Sequence, residues 1–162
     1  CQAIAQIQEI GLHPMQQRQL EFTKKLIALR KKHRVFRRRD FLTGEAPRTG
    51  ALPDVWWFRP DGRRMTANDW DHTVALGMFL NGEEIHHRGE RGERLMSDSF
   101  IILMNAGSDD IGFTMPARRY GRRWLVELST GDPENGLTHS TVSTGEHVAL
   151  VSRSVVVLRR DL

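Results

Sequence analysis

The chain has 162 residues, of which 39% are hydrophobic and 27% are charged, a composition typical of one compact globular domain. Its one cysteine, Cys1, excludes an internal disulfide and a metal site built from several cysteines. Because the sequence shows no apolar window of about 20 residues and no signal-peptide pattern, we expect a cytoplasmic protein without a membrane partner.

The first predicted element is an amphipathic helix. Residues 16–30 contain no Gly or Pro, and apolar residues recur there at helical spacings. They are Leu20, Phe22, Leu26, Ile27 and Leu29. Before them, residues 1–19 carry a shorter apolar stripe, interrupted by Gly11 and Pro14, to which we assign no role.

A basic run follows the helix. The seven Lys and Arg residues between 30 and 39 exceed the net charge of +4, so the rest of the chain is slightly acidic. Cations stabilise a helix carboxyl end, and Val35 and Phe36 are expected to turn back into a core. The run is also the best argument for nucleic-acid binding, although such surfaces usually add a docking element or stacking aromatics. We therefore favour a solvated or interface helix end and expect no specific nucleic acid partner.

A loop rich in Gly, Pro and Thr, residues 43–53, separates the helix from a region of short β-runs. Thr66 and Asp69 resemble a helix-start cap, and Pro60 to Gly62 predicts a tight turn. The predicted strands are residues 54–59, 74–80, 100–104, 111–115, 124–128, 147–151 and 154–158. We expect 100–104 and 111–115 to pair as a hairpin around 105–110. This pattern predicts a mainly β fold, an antiparallel β-sandwich preceded by the helix.

Three stretches resemble the end of the bacterial glycogen-debranching enzymes of the isoamylase type, in the α-amylase superfamily. The first, Phe22 to Arg38, is similar to the last helix of that family's (β/α)8 barrel, although Arg34 stands where the family usually has proline. The second and most specific comprises Trp57-Phe58-Arg59-Pro60-Asp61-Gly62, Met65-Thr66 and Asp69-Trp70. The third, in the family's carboxy-terminal sandwich, comprises Asp98-Ser99-Phe100, Asn105-Ala106, Met115-Pro116 and Arg153-Ser154.

The resemblance implies a fragment of an enzyme that hydrolyses α-1,6-glucosidic branch linkages in glycogen. The family's retaining chemistry needs a pair of carboxyl groups across the scissile bond, and its three carboxylates precede the last barrel helix. Their motifs are absent here, and the turn beginning at Asp61 lacks the second Asp of the first motif. We therefore assign no catalytic residue, no cofactor and no metal, and expect the isolated chain to be catalytically inactive. The first residue, Cys1, also suggests a piece of a longer chain.

Two polar clusters invite a metal or paired-carboxylate interpretation. Adjacent histidines on a strand point to opposite faces, so His86 and His87, near Glu83 and Glu84, are better explained as solvated loop residues. Similarly, the acidic pair at 109–110 is better explained as turn caps than as paired carboxylates.

The tryptophans allow two interpretations. Trp56 and Trp57 are neighbours on a strand, so one ring should pack inward while the other lies nearer the surface or a domain interface. Packing against a core or the missing barrel is favoured, and contact with an α-glucan such as glycogen or its limit dextrin is the alternative. Trp70 and Trp124 are predicted to be core residues of the sandwich.

These patterns divide the chain into a helical segment (1–42), a linker (43–53) and a β-sandwich domain (54–162). The leading hypothesis is a structural segment of a debranching enzyme. A stand-alone glucan-binding module is second and a basic nucleic-acid-interacting protein third. If the helix normally covers a barrel, its apolar stripe is left bare here, which predicts self-association.

Overall fold

The computed structural model describes residues 14–85, 91–93, 95–131 and 140–161. Within them, helix α1 (Pro14–Lys32) is followed by a 3-10 helix (Arg34–Arg37), and a second 3-10 helix (Ala67–Asp69) lies after the first strand. The strands are β1 (Val55–Phe58), β2 (Ala75–Leu80), β3 (Phe100–Asn105), β4 (Ile111–Thr114), β5 (Arg123–Ser129), β6 (Thr141–Ser143), β7 (His147–Leu150) and β8 (Ser154–Asp161). A helix followed by a mainly β domain confirms the predicted fold class. In the described part of the chain, no helix has the length and apolar character of a membrane span.

The described strands form an antiparallel sandwich with two unequal layers. The larger sheet has six strands in the order β1-β2-β3-β8-β5-β6, and β4 pairs with β7 to form the second layer. All of these pairings are antiparallel. Strands β1 and β6 therefore lie at the two edges of the larger sheet, and β6 was not predicted from the sequence.

Strands β3 and β4 are consecutive in the chain but lie in different sheets, so the predicted hairpin of residues 100–104 and 111–115 is wrong. β3 pairs with β2 and β8, whereas β4 pairs with β7. Asn105 organises the connection: its amide nitrogen donates to the Leu150 carbonyl at 3.3 Å, and its side-chain oxygen accepts from Gly107 N at 2.9 Å. The turn is thereby tied to the end of β7 and carries the chain into the second layer.

One face of the larger sheet, the inner face, points toward β4 and β7 and is closed. Its fully buried side chains include Phe79, Ile101, Leu103, Trp124, Val126 and Leu158. At Gly77 a Cβ atom would lie 2.8 Å from the Phe113 ring, so the second layer packs directly on the β2 backbone. The prediction that Trp124 is a core residue is confirmed.

The opposite face, the outer face, is covered only in part. A second, smaller cluster of buried side chains lies there: Val35, Val55, Leu80, Phe100, Leu128 and Val157. Val35 is buried and Phe36 packs against this cluster, so their predicted return to a core is confirmed. The remaining side chains of the outer face stay half-buried: Leu76, Met78, Ile102, Met104 and Val155.

Helix α1 lies beside the outer face, and the residues of its predicted apolar stripe are partly packed and partly exposed. Phe22 and Leu29 pack against the smaller cluster. Leu20, Leu26 and Ile27 are 42%, 40% and 48% exposed, and no residue of the helix is buried. The predicted stripe is therefore only partly covered in the described part of the chain.

Candidate functional site

Strand β1, at the edge of the larger sheet, carries the two tryptophans considered as glucan contacts. Trp56 lies opposite Phe79 and Trp57 opposite Met78, so the two indoles point to different faces. Both are half-buried: Trp56 packs against the inner core and Trp57 against the smaller, outer cluster. The prediction that they face opposite sides is confirmed.

One ring face of Trp56 is covered by the guanidinium of Arg64, whose carbon lies 3.3 Å from the ring centroid. The turn after β1 brings Arg64 back: Gly62 N donates to the Arg59 carbonyl at 2.9 Å, and Gly62 has a φ of +78°, which suits glycine. The predicted turn is confirmed. Because the contact is a cation–π interaction, a flat ligand would have to displace Arg64 to stack on that face of Trp56.

Trp57 instead meets Trp70 beside the edge of the sheet. The ring centroids are 5.3 Å apart and the planes are inclined by 75°, an edge-to-face contact. Trp70 is 47% exposed, so the prediction that it is a core residue is wrong. It directly follows the 3-10 helix Ala67–Asp69, outside both sheets, and packs beside β1 instead of between the layers. We call this pair the Trp57–Trp70 corner.

The corner forms part of the wall of a cleft with a volume of about 340 Å³. This is near the lower end of small-ligand sites, roughly 300–1,000 Å³. All of the lining residues are uncharged: Leu42, Thr43, Gly44, Val55, Trp56, Trp57, Met65 and Trp70.

A capping box fixes the turn that presents Trp70. The Thr66 backbone N and hydroxyl donate to Asp69 Oδ2 at 2.6 and 2.7 Å, which confirms the predicted cap. These hydrogen bonds from Thr66 lower the pKa of Asp69, and the Arg59 guanidinium lowers it further. Arg59 also pairs with Asp61, and that hydrogen bond lowers the pKa of Asp61. The turn is thus held by charged groups outside the cleft.

The opposite wall is anchored by Asp54, whose side chain is fully buried. Its Oδ2 accepts from Thr43 N at 2.9 Å, and its Oδ1 accepts from Gly44 N and Val55 N, each at 2.8 Å. One carboxylate therefore holds both ends of the loop 43–53 against the start of β1.

The basic run after α1 is largely engaged by the protein's own backbone. Arg37 donates to the Arg30 and Lys31 carbonyls at 3.1 and 2.9 Å, where the helix ends. Arg38 donates to the carbonyls of Asn81 and Glu84, and burial lowers the pKa of Arg38. Arg37 thus caps the end of α1 and Arg38 holds the helix exit to the sandwich, which weakens the nucleic-acid interpretation.

His33 forms a second anchor of the helix exit that sequence reasoning missed. It is 3% exposed, its Nδ1 lies 2.8 Å from Asp98 Oδ2, and its ring packs edge-to-face on Phe100. Burial lowers the pKa of His33, while the Asp98 carboxylate opposes that effect. Asp98 in turn lies 4.0 Å from Arg159, which is paired with Glu127 on β5. The sequence did carry a signal for this anchor: one histidine interrupts the basic run, and an Asp-Ser-Phe stretch later begins a strand.

The other polar clusters form no recognisable site. His86 and His87 lie outside the described residues, and Glu83 pairs with Arg160. Asp110 accepts a hydrogen bond from Ser152 N at 2.7 Å, which supports its interpretation as a turn residue. Among the residues described, no group of three or more His, Cys, Asp or Glu side chains could hold a metal ion.

Comparison with known proteins adds two findings. A family model described as "Isoamylase, C-terminal" matches residues 54–159. The chain is also 43% identical, over 148 residues, to a "Glycogen operon protein GlgX homolog" of Mycobacterium bovis and to one of Mycobacterium tuberculosis. Each alignment covers 88% of this chain but 20% of the relative, so the chain spans about a fifth of the length of the curated relatives it matches.

Proposed function

This chain belongs to the isoamylase C-terminal family, and from that premise we propose that it is the carboxy-terminal part of a glycogen-debranching enzyme. The parent would hydrolyse α-1,6-glucosidic branch linkages in glycogen or its limit dextrin. The observation that carries the proposal is the 43% identity, over 88% of this chain, to proteins named for the glycogen operon. The alignment to these relatives is longer than the part of the chain that follows residue 53, so it includes part of the helical segment as well as the sandwich.

In this proposal the segment is structural and catalysis belongs to the preceding polypeptide. Retaining hydrolysis needs two carboxyl groups facing each other across the scissile bond. The acidic side chains of the cleft region are used internally: Asp54 binds backbone N–H groups, and Asp61 and Asp69 pair with Arg59. No catalytic residue is assigned to this chain.

The half-covered outer face supports an interface with the missing part of the enzyme. Met78, Ile102 and Val155 stay half-buried beside a helix whose Leu26 and Ile27 are exposed. Apolar side chains that are only partly covered are common where a protein surface packs against a partner. We therefore propose that the preceding barrel packs against α1 and covers the outer face from β2 to β8, while the sheet edge at Trp70 stays in solvent.

The division of the chain is part of the same proposal. Residues 1–42 complete the barrel, 43–53 connect the two parts, and 54–162 form the sandwich domain. The loop is a short tether, because Asp54 holds its beginning as well as its end. We place the enzyme in the cytoplasm, a reducing compartment that suits a chain with a single cysteine.

The test is to capture the native product from source-cell extract with an antibody against the sandwich, then measure its mass and its debranching activity. We expect a species several times heavier than 18.6 kDa that releases linear maltooligosaccharides from limit dextrin. A native species of 18.6 kDa, or a heavier one without debranching activity, would contradict the proposal.

A further inference from the structure

We propose that the Trp57–Trp70 corner is an α-glucan-binding site. The inference rests on the proposed function, which supplies the glucan, but its location comes from the structure. Of the two tryptophans singled out in the sequence, Trp56 has one ring face covered by Arg64. Trp70, which was expected in the core, presents nearly half of its surface to solvent.

The chemistry of the cleft selects a neutral ligand. Every lining residue is uncharged, and three of them are tryptophans. A phosphate or carboxylate ligand would find no cation in this lining, whereas a glucose unit is neutral and has an apolar C–H face that packs on an indole. The sugar hydroxyl groups would then lie toward the open side of the cleft and remain solvated.

The geometry of the corner also suits a sugar chain. Two rings inclined by 75° with centroids 5.3 Å apart present two surfaces at an angle, so one sugar unit could contact both. The corner lies beside the outermost strand of the sheet, where a polymer can run past without ending in a closed pocket. An edge location therefore fits a long glucan better than a small metabolite.

The turn that carries Trp70 is held in place before any ligand binds. The Thr66–Asp69 capping box and the Arg59 ion pairs fix the turn before Trp70. Met65 N donates to the Trp57 carbonyl at 2.9 Å and joins this turn to β1. A platform that is already rigid loses little conformational entropy when a ligand binds.

The test is affinity electrophoresis of the 162-residue chain in gels containing glycogen, with and without maltoheptaose as a soluble competitor. We expect glycogen to retard the wild type and maltoheptaose to relieve the retardation. Trp70→Ala should weaken binding roughly tenfold or more, because a central aromatic contact is removed, and Trp70→Phe should retain part of it. The matched control is Phe41→Ala, which removes an aromatic ring that is 96% exposed and lies outside the cleft lining.

Thermal unfolding of each variant separates loss of binding from loss of fold, because Trp70 lies outside both sheets and its variants should remain folded. An unretarded wild type, or equal retardation of wild type and Trp70→Ala, would overturn the site. A third result would also overturn the site: Trp70→Ala weakens binding of the isolated chain but has no effect on binding by the native enzyme. The preceding polypeptide would then occupy the corner in the native enzyme. Debranching activity of the native enzyme is measured separately, so failure of this site leaves the proposed function standing.

Discussion

The two faces of the six-stranded sheet differ in how completely the chain covers them. On the inner face, Phe79, Trp124 and Leu158 are fully buried beneath β4 and β7. On the outer face, Met78 and Ile102 stay half-buried although they are neighbours of fully buried residues on the same strands. The chain therefore covers the inner face completely and the outer face only in part.

The partly covered outer face is consistent with the interface that we propose for a preceding domain. Fully burying a Leu, Ile or Met side chain contributes about 1.5–3 kcal/mol, so the smaller, exposed part of each half-buried residue on this face leaves less than about 1 kcal/mol unrealised. The helix exit is nevertheless anchored firmly, through Arg38 on the β2 end and His33 on Asp98. A firmly held helix exit next to partly covered apolar side chains is consistent with one side of a domain interface.

The largest expected difference between the faces comes from adjacent residues of β2. Phe79→Ala should lower the free energy of unfolding by about 3–5 kcal/mol, because it leaves a cavity in the closed core. Met78→Ala, the matched control on the outer face, should cost about 1 kcal/mol or less, because solvent already reaches that side chain. Urea denaturation of both variants measures the contrast, and equal losses would show that the two faces are equally packed.

The next effect concerns the loop that precedes β1. Asp54→Ala should cost about 2–3 kcal/mol, because Thr43 N, Gly44 N and Val55 N all lose their acceptor. Asp71→Ala, an exposed acidic control from a turn, should change the free energy of unfolding by less than about 0.5 kcal/mol. The same denaturation series tests both, and an unaffected Asp54→Ala variant would mean that the loop is not held by this carboxylate.

A smaller effect should appear as a pH dependence at the helix exit. Burial holds the pKa of His33 below its usual value of 6.5, although Asp98 and Glu127 favour the charged form and Lys32 opposes it. The unfolded chain therefore binds a proton more readily than the folded one. Stability from this group is complete above pH 6.5 and is lost as the pH falls toward the lowered folded pKa.

Measuring urea midpoints between pH 8 and pH 5 for wild type and His33→Gln tests this sign. The wild type should lose more stability toward acid than the variant does, since only the wild type carries the titrating group at this position. Parallel pH profiles would show that His33 titrates alike in the folded and unfolded chain.

Substitutions in the exposed part of the α1 stripe should change stability least. We expect them to change the self-association of the chain instead. Ile27→Glu should alter the free energy of unfolding by less than about 0.5 kcal/mol, because Ile27 is 48% exposed. It should nevertheless reduce the self-association of the isolated chain in sedimentation velocity, while Gln17→Glu on the same helix should not. A wild-type chain that remains monomeric at every concentration would contradict this prediction.

All of the described strands except β6 could be predicted from the sequence, because their signals are local. Val74 to Leu80 is an apolar run ended by Asn-Gly, and the strand there is Ala75–Leu80. The wrong hairpin had equally good local signals, since two apolar runs flank the turn at 105–110. In the structure β3 pairs with β2 and β8, β4 pairs with β7, and the Asn105 side chain joins the turn to the end of β7, a contact between residues 45 positions apart. Sequence spacing carries no information about such a partner.

Only the features of the candidate site that depend on local sequence signals could be predicted. Alternation on β1 placed Trp56 and Trp57 on opposite faces, and the Thr66–Asp69 cap was visible in the sequence. That cap also places Trp70 on a turn, which favours exposure. The prediction of a core position followed the apolar character of Trp70 instead and was wrong. The cover that Arg64 places over Trp56 depends on how tightly the intervening turn closes, which residue types alone do not fix.

The central claim is that the outer face is buried in the native protein, and methionine oxidation tests it most directly. Met78 and Met104 lie half-buried on the outer face, Met115 is 2% exposed on the inner side, and Met96 is 61% exposed. In the isolated chain, brief peroxide treatment should oxidise Met96 fastest, Met78 and Met104 at intermediate rates, and Met115 slowest.

In the native protein captured from cells, which we propose is longer, mass spectrometry should show Met78 and Met104 protected to the level of Met115, with Met96 unchanged as the reference. That result would mean that the preceding polypeptide completes the sheet. Unchanged oxidation of Met78 and Met104 in the native protein would contradict the account, because the outer face would then be open in the intact molecule as well.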